Sequence, residues 1–154
     1  IMSDAIATNR KAFRDYFFTE HWECGIMLEG CEVKSIRAGK VDFKDSYARI
    51  EKGELFLYNL HIDVYDQAGY VKPDPDRPRK LLVHKRELKK LIGYIAQKNL
   101  LLVPTRIYLN ARGFVKVAVA LGKGKKLYDK RENIKKRTMD RHISRVIRSK
   151  QKGR

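Results

Sequence analysis

Lysine and arginine are the side chains of this chain with the clearest chemical use. From Lys123 to Arg154 there are fourteen of them against three Asp and Glu, which puts about +11 of the total +17 on one end of the polymer. Charge of that density and sign complements the phosphate backbone of a nucleic acid. One aromatic interrupts the run: Tyr128 stands among Lys125, Lys126, Lys130 and Arg131. A phenol in that setting can stack on an exposed base, a contact worth about 1 to 3 kcal/mol. The alternative for Tyr128 is a plain exposed tyrosine.

Groups that could perform a reaction are not assembled in the same way. His21, His61, His84 and His142 are scattered, with no Ser or Cys arrangement that suggests a triad. The acids are dispersed, which argues against a metal-dependent nuclease. Cys24 and Cys31 are the only thiols, with no CxxC and no His pair at zinc-ligand spacing, and they read as small side chains at or near a core in a reducing compartment. The glycines at Gly122 and Gly124 are followed by charge rather than by an apolar helix, so they do not form a phosphate loop. The expectation is a binding protein without enzymatic activity, cofactor or metal.

At 154 residues and 43% hydrophobic composition the chain is long enough for one packed core and an extension. The expected division is a domain over residues 1–122 and a basic tail over 123–154, the tail disordered when free and helical on its target. Within the tail, Ile134, Met139, Ile143, Val146 and Ile147 form an imperfect apolar stripe among like charges, which repel in an isolated helix and are neutralised by phosphates. No run of about 18 apolar residues is present, and IMSDAIATNRKAF does not resemble a signal peptide, so a cytoplasmic protein without membrane contact is expected.

The elements that must position these cations follow from local pattern. Tyr16 to Leu28 is aromatic and aliphatic and predicts a strand, bent or bulged at Gly25. EGCEVKSIRAGK, from Glu29 to Lys40, predicts a short helix with Gly39 at the left-handed stop. Tyr47–Glu51 and Glu54–Leu60 flank Lys52-Gly53 as a hairpin. Asp66 to Arg79 holds Pro73, Pro75 and Pro78 and reads as a surface loop. Leu88, Leu91, Ile92 and Ile95 make the stripe of an amphipathic helix, with Asn99 as its C-terminal cap. A second, half-buried hairpin joins Leu101–Leu109 to Phe114–Leu121, with Val115, Val117, Val119 and Leu121 on one face, and Gly122 to Gly124 ends the last strand. The fold class is mainly β with peripheral helices: a small antiparallel β-barrel related to the OB-fold, plus a basic C-terminal tail.

Five stretches carry a family resemblance: NRKA (Asn9–Ala12), EVKSIRAGK (Glu32–Lys40), DSYARI (Asp45–Ile50), RKLLVHKREL (Arg79–Leu88) and GKKLYDKR (Gly124–Arg131). In that order and spacing the chain resembles the small protein B family, the SsrA-binding proteins of bacterial trans-translation. Ile36 stands where the family motif has Leu.

The resemblance implies an adaptor that holds the transfer-RNA-like part of transfer-messenger RNA (tmRNA) and delivers its alanylated form to stalled ribosomes. By motif, the RNA-facing candidates are Asn9, Arg10, Lys11, Glu32, Lys34, Ser35, Arg37 and Lys40, together with Glu23 and Lys116. It also implies that the tail enters the decoding region and empty messenger channel of the 70S ribosome, against 16S rRNA. The candidates there are Gly124, Lys125, Lys126, Tyr128, Asp129, Lys130, Arg131, Lys135, Lys136 and Arg137. Elongation factor Tu with GTP would be an indirect partner through tmRNA, and the chain itself a monomer. The competing reading among binding proteins is a ribosomal or ribosome-assembly protein with a similar barrel and tail.

Overall fold

The computed structural model describes residues 5–65, 72–96 and 100–125, together with Met139, Arg141, Ile143 and Arg145. Two compact units are present, Ile1–Gly124 and Lys125–Arg154. In the first, the elements run β1 (Ala5–Thr8), α1 (Arg10–Asp15), β2 (Tyr16–Ile26), α2 (Gly30–Arg37), β3 (Val41–Asp42), β4 (Tyr47–Glu51), β5 (Glu54–Tyr58), β6 (His61–Ile62), β7 (Arg79–Leu82), α3 (Lys85–Ile95), β8 (Leu101–Leu109) and β9 (Val115–Gly124). In the second unit Met139, Arg141, Ile143 and Arg145 are helical and exposed.

The main sheet runs β1-β8-β4-β5-β7-β2-β9, and pairing of β8 with β9 closes the six strands from β8 to β9 into a ring. Every described pairing is antiparallel. Closure leaves no open edge within the ring of six, while β1 lies outside it, paired with β8. This is the expected β-barrel with peripheral helices. A small β3–β6 pair lies outside the main sheet.

Alternation decides which side chains fill the barrel. Trp22 and Cys24 of β2, Leu55 and Leu57 of β5, Ile107 of β8 and Val117, Val119 and Leu121 of β9 join Ile36 of α2 and Leu91 of α3 in one core. Ala118 and Ala120 on the other face of β9 are buried as well, so the hairpin is more enclosed than the half-buried pattern predicts. Burial pushes the Cys24 thiol up to about 12, with Glu87 and Glu23 adding to it, which leaves the thiol protonated and inert. Cys31 is half-buried, and both cysteines are free.

Turns follow their local chemistry. Lys52 and Gly53 both have positive φ, 51° and 74°, as a two-residue hairpin turn that follows the strand twist requires. Gly39, at φ 77°, ends α2 as predicted. Pro104 sits in β8 where the register with β9 shifts between Pro104 and Arg106, a place that tolerates its missing N–H.

Several expectations are corrected. The irregularity in β2 falls between Phe18 and Glu20, whereas Gly25 stays in register between Leu82 and Lys116. A Cβ at Gly25 would meet Leu82 Cβ at 3.3 Å, so this glycine serves a close strand approach. The loop reading of 66–79 stops one residue too late: Arg79 opens β7 and is 1% exposed. Helix α3 turns Leu91 inward and packs Tyr94 on Trp22, while Ile92 and Ile95 are 45% and 36% exposed. Asn99 lies outside the described residues.

The last strand does not end at Gly122. Strand β9 continues to Gly124, pairing Phe18 with Gly122, Phe17 with Lys123 and Tyr16 with Gly124. Tyr16 and Phe18 stack on each other with centroids 6.2 Å apart, and a Cβ at Gly122 would come within 2.8 Å of the Phe18 ring. The bare backbone is the floor that the rings cover, an arrangement in which an aromatic neighbour compensates a glycine in a strand.

Candidate nucleic-acid interface

Helix α2 carries the EVKSIRAGK motif, and its position is set by a buried ion network. The Glu32 carboxylate is 3% exposed and caps its own helix by accepting from the Glu29 N–H at 2.9 Å. The same carboxylate accepts from Arg79 Nε at 2.7 Å and pairs with Arg77. Arg79 also donates to the Leu60 carbonyl at 2.6 Å and to the Pro75 carbonyl at 3.0 Å. Three segments distant in sequence, at 29–32, 60 and 75–79, thus converge on one carboxylate and one guanidinium. Burial pulls the Glu32 pKa upward, but hydrogen bonds from Arg77, the Glu29 amide and Arg79 outweigh it and hold the carboxyl below its ordinary value.

That clamp leaves Lys34, Arg37 and Lys40 exposed. Arg37 reaches across to the β8–β9 turn and donates to the Gly113 carbonyl at 3.3 Å. Between α2, β2, β7 and that turn lies a cavity of about 430 Å³. Arg37, Arg112 and Lys116 line it together with the exposed apolar surfaces of Leu82 and Phe114, and no carboxylate is among its lining residues. Cations around an apolar floor suit an anionic backbone that carries planar bases.

Beside it, the outer face of β2, β9 and β8 holds Glu23, Lys116, Tyr108 and Arg106. Tyr108 is in register with Lys116, donates its hydroxyl hydrogen bond to Glu23 and has the Arg106 guanidinium 5.8 Å from its ring centre. Burial, then the Glu23 carboxylate, raise the Tyr108 pKa, so the phenol stays protonated and the carboxylate stays occupied. Glu23 is exposed and holds Tyr108 through one of its two carboxylate oxygens.

The candidates from the sequence divide accordingly. Arg37 and Lys116 share the cavity, and Lys34 lies 5.5 Å from the Tyr65 ring centre. Lys40 is exposed, its amide bonded to the Ser35 carbonyl. Asn9, Glu32 and Ser35, expected on the RNA-facing surface, are 6%, 3% and 0% exposed and hold the frame from inside the fold. Asn9 instead caps α1, accepting from the Ala12 N–H and donating to the Pro104 carbonyl. Arg10 and Lys11 are exposed but belong to a different cavity, beside Asp45. Gly124 is the end of β9 rather than part of the tail, Lys125 follows it, and Lys126, Tyr128, Asp129, Lys130, Arg131, Lys135, Lys136 and Arg137 lie outside the described residues.

Sequence reasoning missed Arg112, although the glycine turn Asn110–Gly113 that presents it was legible. It also missed Arg77 and Arg79, whose partner is Glu32, 45 and 47 residues away. Among the described residues no group of three or more His, Cys, Asp or Glu is arranged for a metal ion, and no helix is long and apolar enough to cross a membrane.

A closed antiparallel barrel with a cationic cavity on its flank defines a protein built to bind an anionic polymer. Residues 6–149 match the family described as SmpB protein. An SsrA-binding protein of Geobacillus sp. (strain WCH70) is 54% identical over 147 residues, covering 96% of this chain and 94% of the relative. That of Bacillus subtilis (strain 168) is 51% identical over 148 residues, covering 96% and 94%. A chain in the solved structure described as "tmRNA-SmpB: a journey to the center of the bacterial ribosome" is 51% identical, with a TM-score of 0.68, over 83% of this chain and 93% of that one. The chain belongs to the SmpB protein family.

Proposed function

We propose that the chain is a tmRNA-binding adaptor of trans-translation, which delivers alanyl-tmRNA to stalled ribosomes so that the nascent peptide is tagged and the ribosome released. The observation that carries this reading is the family match, which spans both the barrel and most of the tail over residues 6–149. The protein works by binding, with no chemical step of its own, in the cytoplasm where ribosomes are. Elongation factor Tu and GTP act on the complex through tmRNA.

The cavity rimmed by Arg37, Arg112 and Lys116 supports a backbone grip on the transfer-RNA-like part, with Lys34 and Lys40 extending the cationic surface. In this reading the tail is the sensor. Lys125, Lys126, Lys130 and Arg131 bind ribosomal phosphates, Tyr128 stacks on 16S rRNA, and Lys135, Lys136 and Arg137 continue into a messenger channel that admits the segment only when it is empty. The barrel's compactness up to Gly124 sets the test: removing residues 125–154 leaves tmRNA affinity largely intact and abolishes peptide tagging in a reconstituted translation system. Equal loss of both activities contradicts the division of labour.

A further inference from the structure

The DSYARI stretch has no part in the cationic cavity or the tail, yet the fold brings it against NRKA around a second cavity, of about 310 Å³. We propose that this cavity is a pocket for one unpaired nucleobase of a bound RNA. The proposal rests on the RNA-binding reading above and adds a site and a ligand class to it.

Charge balance argues for a base rather than a phosphate. Lys11 and Lys44 in its lining are matched by Asp15 and Asp45, so an anion entering would meet two carboxylates. Lys11 and Asp45 lie 2.6 Å apart, with side chains 55% and 82% exposed, and present a donor and an acceptor side by side. That is the complement of a base edge that carries a ring carbonyl next to an N–H. An exposed pair of this kind contributes little to folding, and a ligand can open it at small cost. Lys44 is engaged on its other side by Asp76 at 3.7 Å and by His61 at 3.3 Å, which also limits its availability to a phosphate.

The walls suit a planar ring. Tyr47 is stacked on Tyr58, with centroids 5.4 Å apart and planes 18° from parallel, and is still 40% exposed. Leu101, 52% exposed, adds apolar surface. Ser46, which also lines the cavity, is 6% exposed and its hydroxyl has no hydrogen-bond partner. Buried hydroxyls are rarely left so, and this one belongs to a residue of the cavity wall.

The test uses the full chain, tmRNA and ribosomes. Tyr47→Ala lowers RNA affinity about tenfold, the same factor at every salt concentration, because it removes stacking and no phosphate contact. Tyr47→Phe keeps the ring and restores the affinity. A photo-crosslinking side chain at position 101 joins to an unpaired nucleotide, and running it with tmRNA alone and with tmRNA on ribosomes tells a tmRNA base from a ribosomal one. Unchanged affinity of Tyr47→Ala for the RNA that crosslinks, a changed salt slope, or no RNA crosslink in either arm while tmRNA still binds overturns the pocket and leaves the adaptor reading standing. Failure of the unmodified chain to bind tmRNA at all removes both.

Discussion

Two cavities flank the same barrel, and they differ chiefly in charge. The one beside α2 is lined by Arg37, Arg112 and Lys116 with no carboxylate, whereas the one beside α1 sets Lys11 and Lys44 against Asp15 and Asp45. Both carry exposed apolar surface, Leu82 and Phe114 in the first, Tyr47 and Leu101 in the second. A high net charge for the whole chain therefore does not make every groove a phosphate site. Local pairing decides whether a cavity attracts backbone, with strong salt dependence, or only a base.

The frames behind the cavities differ too, and this gives the largest expected effect. The cationic cavity depends on α2, which is held by the buried Glu32–Arg77–Arg79 network; the neutral one depends on α1, capped by Asn9 through neutral hydrogen bonds. Glu32→Ala strands Arg79 in the interior and is expected to destabilise the barrel by about 3 to 5 kcal/mol in urea unfolding. Because the Glu32 carboxyl is held below its ordinary pKa, its stabilising contribution is complete above the ordinary carboxylate range and is lost as the pH falls through the folded value. Glu32→Gln should therefore flatten the acid side of the stability profile.

Smaller effects probe the strand ends. Gly122→Ala drives a methyl group into the Phe18 ring, and a loss of about 1 to 3 kcal/mol is expected, read as a lower melting temperature. Phe18→Ala combined with Gly122→Ala should show less than the sum of the two single losses, because the clash disappears with the ring. Smallest of all, Lys52→Asn relieves a lysine held at φ 51°, and a gain of a few tenths of a kcal/mol in the same melts is expected.

Legibility in the sequence followed the range of the interactions. Helix α2, its Gly39 stop and both hairpins were readable because neighbouring residues determine them. Strand β7 was not, because the prolines at 73, 75 and 78 dominate the local pattern while Arg79 gains its place from Glu32 across the fold. The glycines at 122 and 124 read as a break, and only the register with Tyr16 and Phe18 reveals them as a paired floor. Of the candidate residues that the motifs name, Lys34, Arg37 and Lys40 are exposed, and Arg37 and half-buried Lys116 line the cationic cavity. Asn9, Glu32 and Ser35 were assigned to the surface because a motif marks residues that matter without separating those that touch a partner from those that hold the frame.

In the reading proposed above, the cavity between α2 and the β8–β9 turn grips RNA through its phosphates. Salt titration of tmRNA binding by the full chain and by the Arg37→Ala, Lys116→Ala double variant tests it most directly. The variant should bind more weakly, with a slope of log affinity against log salt that is shallower by roughly 0.7 to 0.9 for each phosphate contact removed. An unchanged slope, with affinity at every salt equal to that of the unmodified chain, would contradict it.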